Sequence, residues 1–187
     1  MINERLLEFA QWLEAQTWSQ DLHGSFYMYN WIESTHVLTL TVCLGMLSVI
    51  DLRMLGVCLT RVPAATLAAK LNKPMLVGFA VMFVTGALLY YAIPVRTTQS
   101  LWFRFKLVLL VAAAINAWLF HRHMNASVAT WNTAAKPPRR TRIAAGLSLA
   151  LWTGIVVAGR FIAYDWYDCG QKSATAFTNW ASGCVVN

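Results

Sequence analysis

Four long apolar runs divide the chain, and polar residues gather between them. A transmembrane helix needs roughly 20 predominantly apolar residues. The runs at about 31–55, 75–93, 101–120 and 143–164 each meet that requirement. None shows the two-residue alternation of a half-buried strand, so the pattern predicts helices and disfavours a β-barrel. The five prolines (Pro63, Pro74, Pro94, Pro137, Pro138) fall outside these runs, where a missing amide donor does no harm. Trp31, Trp102 and Trp166 stand at run ends, the level where an indole prefers the headgroup layer.

Ahead of the first run, residues 1–24 carry a different pattern. Leu6, Leu7, Phe9, Ala10 and Leu13 share one side of a helix, while Glu4, Glu8, Gln11 and Glu14 populate the others. This predicts an amphipathic helix that caps the spans or lies on the outer leaflet. Capping is favoured, because an acidic face has no attraction for anionic lipid. The same glutamates interrupt any apolar core of a cleavable signal peptide.

Composition agrees with the pattern. Of 187 residues, 58% are hydrophobic and only 12% charged, against about 25% charged in an average soluble domain. Mean hydropathy is +0.49. So few charges cannot cover a water-soluble globule of this size, which excludes a soluble enzyme, a disordered chain and a nucleic-acid module. The net charge of +7 is spread over short connections, where it reports orientation rather than a nucleic-acid footprint. The first connection and its flank hold Arg53, Arg61, Lys70 and Lys73, and the third holds Arg122, Lys136, Arg139, Arg140 and Arg142. By the positive-inside rule both face the cytoplasm, which leaves both termini periplasmic. The chain is thus read as one all-α, integral inner-membrane four-helix bundle, with a periplasmic helix within 1–24 and a periplasmic tail at 165–187.

Cysteine positions fit that orientation. Cys169 and Cys184 lie in the tail, where an oxidising periplasm permits a disulfide, while two unrelated thiols remain the alternative. Cys43 is mid-span and Cys58 sits near the cytoplasmic end, out of reach of the tail pair.

Two spans carry a recognisable vocabulary. The first runs W-I-E-S-T-H-V-L-T-L-T-V-C-L-G-M-L-S-V-I-D-L-R-M-L-G from Trp31 to Gly56, and the third F-R-F-K-L-V-L-L-V-A-A-A-I-N-A-W-L-F-H from Phe103 to His121. Glu33 and His36 form an E-x-x-H at the start of span one, and D-L-R-x-L-G closes it. Phe103 and Lys106 form F-x-x-K at the start of span three, with Asn116 before its end. With L-L-E-F-A-Q-W-L-E near the N-terminus, these motifs resemble an uncharacterised family of small bacterial four-span inner-membrane proteins. The resemblance covers nearly all of the chain except the tail. It implies a fold and a location and supplies no activity. More distantly, the layout is similar to cytochrome b-type and copper-resistance membrane proteins.

Ionisable side chains at bilayer depth are costly, about +2.5 to +3.5 kcal/mol for Arg, Lys or Asp at a helix centre, and here they fall into two layers. Glu33, His36, Lys106 and Arg160 lie toward the outer side, and Asp51, Arg53, Asn116 and His121 toward the inner side. At 1.5 Å per residue His36 is about 7 Å beyond Trp31, whereas His121 is about 28 Å along span three. The two cannot share one metal ion. His36 therefore reads either as a ligand for haem b, copper or zinc, with Glu33 as second ligand or orienting partner, or as a packing residue satisfied by Glu33 or a polar group on a neighbouring span. A second axial ligand for haem would be His23, Met28 or His36 of a second copy. Lys106 either pairs with Glu33 or snorkels to the interface, and Arg160 snorkels beside Asp165 and Asp168.

On the inner side, Asp51 is expected to accept from Asn116 or Arg142, Arg53 to sit in the headgroup layer, and the three residues Asp51, Arg53 and Asn116 to clasp that end. His121, Arg122 and His123 read as a solvated turn, with metal capture as the alternative. Gly146, Ala150, Gly154 and Ala158 form a ladder of small residues that predicts a helix–helix seam, with a weaker version at Gly78 and Gly86.

The sequence has no P-loop, dinucleotide fingerprint, C-x-x-C-H or H-E-x-x-H, and a conventional hydrolase or transferase is disfavoured. The expectation is a membrane anchor or subunit associated with electron transfer, with haem b at His36. The alternative is a transporter or channel for protons, metal ions or a small solute. Beyond the lipid bilayer, the implied partners are a second copy of the chain or a larger membrane complex.

Overall fold

The computed structural model describes residues 2–134, 136–164 and 175–184, and every regular element among them is helical: α1 (Ile2–Glu14), α2 (Thr17–Gly24), α3 (Met28–Leu55), α4 (Ala64–Ala92), α5 (Pro94–Thr98), α6 (Leu101–Trp131), α7 (Arg139–Tyr164) and α8 (Ala176–Ser182). Four stretches are long and apolar enough to cross a membrane: Met28–Leu55, Ala64–Ala92, Leu101–Arg122 and Arg139–Ala163. Their outward surfaces are rich in exposed Leu, Val, Phe and Trp, as expected of helices whose solvent is hydrocarbon.

The helices overrun the apolar runs. α4 starts at Ala64, so Lys70 and Lys73 lie on a helix rather than in a connection, and Pro74 is inside it. The prediction that all prolines avoid the helices fails here. α6 likewise carries His121 and Arg122 on its helix instead of in a turn, with the Arg122 guanidinium 5.6 Å from the Trp118 ring centroid. Hydropathy finds where lipid begins; backbone hydrogen bonding decides where the helix begins.

The chain divides into two compact units. Unit 1 holds Met1–Val37, Phe83–Val108 and Val156–Asn187; unit 2 holds Leu38–Met82 and Leu109–Ile155.

In unit 1, α1 packs on α5, and Ala10 of α1 is fully buried. Ser19 of α2 donates to the Tyr91 carbonyl at 2.7 Å. Arg104 is the knot of this unit: Nε donates to the Thr98 carbonyl at 3.1 Å and Nη1 to Asn3 Oδ1 at 3.1 Å. An added Cβ at Gly183, the left-handed C-cap of α8, would collide with the same guanidinium. Stacked rings close the remaining gaps, Tyr90 on Phe103 at 5.5 Å and Trp102 on Phe161 at 4.5 Å.

In unit 2, Met54, Ala64, Trp131 and Ala145 form a buried cluster backed by Ile50, Leu55 and Phe120. The D-L-R-x-L-G motif ends α3. Gly56 has φ +77°, its amide donates to the Arg53 carbonyl at 3.1 Å, and the Val57 amide donates to the Leu52 carbonyl at 3.0 Å. This is a Schellman termination, which requires a residue that tolerates the left-handed region. The α4 N-terminus is capped from a distance: Ala64 donates to the Asn132 carbonyl at 3.0 Å and Ala65 to Asn132 Oδ1 at 2.8 Å.

Candidate functional site

His36 is half-buried on α3, and the group that holds it is on α4. Nδ1 and Thr85 Oγ1 are 2.8 Å apart, with Thr85 buried. A Cβ added at the next residue, Gly86, would lie 3.4 Å from His36 Cε1. The missing side chain is what lets the imidazole lie against the α4 backbone. Thr85 and Gly86 were not singled out as partners by sequence reasoning. The signals there were the weak seam at Gly78 and Gly86 and a hydroxyl just before Gly86 in an otherwise apolar run.

Glu33 lies one turn before His36 on α3, and both it and Arg96 fall within electrostatic range of Tyr29. Lys106 does not join them. Its ammonium lies 3.7 Å from where a Cβ on Gly159 of α7 would stand, and among the described residues no ion pair links it to Glu33. Of the two readings of Lys106, the pairing with Glu33 is not formed, and its ammonium stands beside Gly159. His23 is exposed, edge-on to Tyr29 with ring centroids 6.4 Å apart, and Met28 is exposed as well.

The second polar layer resolves into three separate ties. Arg53 is fully buried: Nε donates to the Val62 carbonyl at 2.8 Å and Nη2 to the Ala134 carbonyl at 3.2 Å. Asn116 donates from Nδ2 to the Ala144 carbonyl at 3.0 Å, so its partner is backbone rather than Asp51. Asp51 is buried and hydrogen-bonded to Ser148 of α7, in place of Asn116 or Arg142. Asp51, Arg53 and Asn116 thus bond to different groups rather than to one another, Asp51 and Asn116 each to α7 and Arg53 to two connections, all within unit 2. Connection carbonyls left over at helix ends need donors, and a buried guanidinium supplies several in a fixed fork.

The small-residue ladder splits. Gly154 faces Leu109 and Gly146 faces Leu55, Ala158 is buried, but Ala150 is exposed. Gly78 faces Cys43, whose Sγ a Cβ there would strike.

Among the described residues, no three His, Cys, Asp or Glu side chains gather closely enough to hold a metal ion. Cys43 and Cys58 are free thiols. Cys169, Asp165, Asp168 and Trp166 lie outside the described residues.

Residues 9–165 match the model of a family of unknown function, DUF6644. The chain belongs to that family. No curated protein and no solved structure matches it. All the polar contacts of α3, α4, α6 and α7 just described fall within the DUF6644 region, whereas α8 and most of α1 lie outside it.

Proposed function

We propose that this DUF6644 protein is an anchor subunit of an electron-transfer assembly in the bacterial inner membrane, with both termini periplasmic and His36 as an axial ligand of haem b. The observation that carries the reading is the His36–Thr85 pair at 2.8 Å. Ligating imidazoles characteristically have one ring nitrogen held by a protein group, which fixes the tautomer and ring plane. Gly86 supports it, because the backbone beside the ring carries no side chain. The anchor role is favoured because Arg53 and Asn116 are spent on backbone ties rather than lining a path. The four spanning helices are also continuous, unlike the broken helices of secondary transporters.

Haem b with two axial ligands needs a second donor. Within one chain, His23 and Met28 are exposed, so the reading takes that donor from His36 of a second copy across a two-fold axis. Haem and dimer then stand or fall together. The test is an absorption spectrum of detergent-purified protein before and after dithionite, with the oligomeric state measured on the same sample. A Soret band in the dimer that His36→Ala abolishes supports the site. A spectrum without one, or a band that survives His36→Ala, ends the haem reading.

The orientation rests on Arg53, Arg61, Lys70 and Lys73 in one connection region and Arg122 to Arg142 in the other. Maleimide labelling of Cys58 only after cell lysis is the outcome that supports it. In a periplasmic tail, a Cys169–Cys184 disulfide would add roughly 3 kcal/mol. Peptide mapping under non-reducing conditions detects it, and free thiols at both positions would refute it.

A further inference from the structure

α1 has three faces rather than two. Asn3, Leu7 and Ala10 turn to the protein: Asn3 bonds Arg104, Leu7 is half-buried and Ala10 fully buried. Glu4, Glu8 and Gln11 form a polar strip. Ile2, Leu6, Phe9 and Trp12 form a third strip that is apolar and exposed, with Phe9 stacked on Trp12 at 5.9 Å.

Beneath Leu6 lies a cavity of about 270 Å³ with almost wholly apolar walls. Leu6 closes one side, Tyr90 and Phe103 form a stacked wall, and Leu107 lies one turn further along α6. Arg104 also borders it, but its Nε and Nη1 are already committed to Thr98 and Asn3, and Tyr90 shares a hydrogen bond with Thr98 at 2.9 Å. The polar groups around the cavity thus serve one another, and the space they leave suits hydrocarbon. Its mouth is set by Leu6 and Leu107, which stay 45% and 46% exposed while lining it. Next to Leu107, Val108 is 65% exposed on a candidate membrane span. The cavity therefore opens onto the apolar surface of the spans, where the available guest is a lipid chain.

We propose that this cavity holds one acyl chain of a bilayer phospholipid, with α1 lying over it as a lid whose Ile2, Phe9 and Trp12 rest among neighbouring lipids. Aromatic side chains at the membrane interface suit that placement.

The test uses the full chain, delipidated in detergent, reconstituted into vesicles of palmitoyl-oleoyl phosphatidylcholine, re-extracted and analysed by native mass spectrometry. The unmodified protein is expected to retain about one phospholipid per chain. Leu107→Trp and Leu6→Trp fill the cavity and should reduce retention severalfold, while Val108→Trp, outside the lining, should leave it unchanged. Leu107→Phe, a smaller intrusion, gives a partial loss if the tryptophan variants do not fold. No retained lipid in the unmodified protein, or equal retention in the cavity-filling variants and Val108→Trp, overturns the proposal.

Discussion

The His36 imidazole and the Thr85 hydroxyl meet at 2.8 Å, across forty-nine positions of sequence. The pair joins α3 to α4 inside unit 1. Hydrogen bonds between membrane helices average only about 0.6 kcal/mol, with a maximum near 1.7. A double-mutant cycle with His36→Ala and Thr85→Val should therefore yield a coupling in that range. Steric trapping in bicelles measures it, and additive effects would show that the contact contributes nothing.

Gly78 and Gly86 face α3 with different clearances. A Cβ at Gly78 meets Cys43 Sγ head-on, while one at Gly86 stands 3.4 Å from His36 Cε1. Gly78→Ala is expected to cost about 1–3 kcal/mol as overpacking, and Gly86→Ala clearly less. Adding Cys43→Ala should recover most of the Gly78→Ala loss, since the obstructing sulfur is gone. Melting temperatures of the three variants decide it; no recovery would mean that the helices, not the thiol, set the limit.

Arg53 holds two connections by their carbonyls, Val62 and Ala134. Arg53→Met keeps much of the volume and removes the donors, so it should destabilise the protein by about 2 kcal/mol or more, the scale for hydrogen bonds from a charged group. Arg53→Lys should rescue only part, because an ammonium cannot reproduce the planar fork. The readouts are thermal unfolding and protease cleavage near residues 57–63. Full rescue by lysine would reduce the role of Arg53 to charge alone.

Asn132 caps a helix sixty-seven residues away from it in sequence, through Ala65. Asn132→Ala should cost about 1 kcal/mol, as loss of an N-cap does. Hydrogen exchange should speed up at Ala64 and Ala65 while the middle of α4 stays protected. Unchanged exchange there would show that water replaces the cap without penalty.

Much of the fold was legible because lipid imposes a simple rule. Backbone groups in hydrocarbon must bond within their own segment, so each apolar run had to be a helix. The stop at Gly56 was legible for a related reason, since the motif ends on the residue best suited to positive φ. The errors share a cause too. Lys70, Lys73 and Pro74 read as connection because hydropathy falls there, yet α4 continues through them. Hydropathy measures the solvent a residue prefers, not the conformation of its backbone.

Local pattern alone thus determined that the chain is helical, which four stretches could cross a membrane, and that His36, Lys106, Asp51 and Arg53 are polar groups needing partners. Only the tertiary structure assigned partners: Thr85 to His36, Ser148 to Asp51, and the Val62 and Ala134 carbonyls to Arg53, while it brought Lys106 beside Gly159. The physical reason is that a buried polar group must be satisfied, but a hydroxyl or a backbone carbonyl can each do it. Backbone acceptors occur at every residue, so spacing along the chain carries no mark of which one folding brings near.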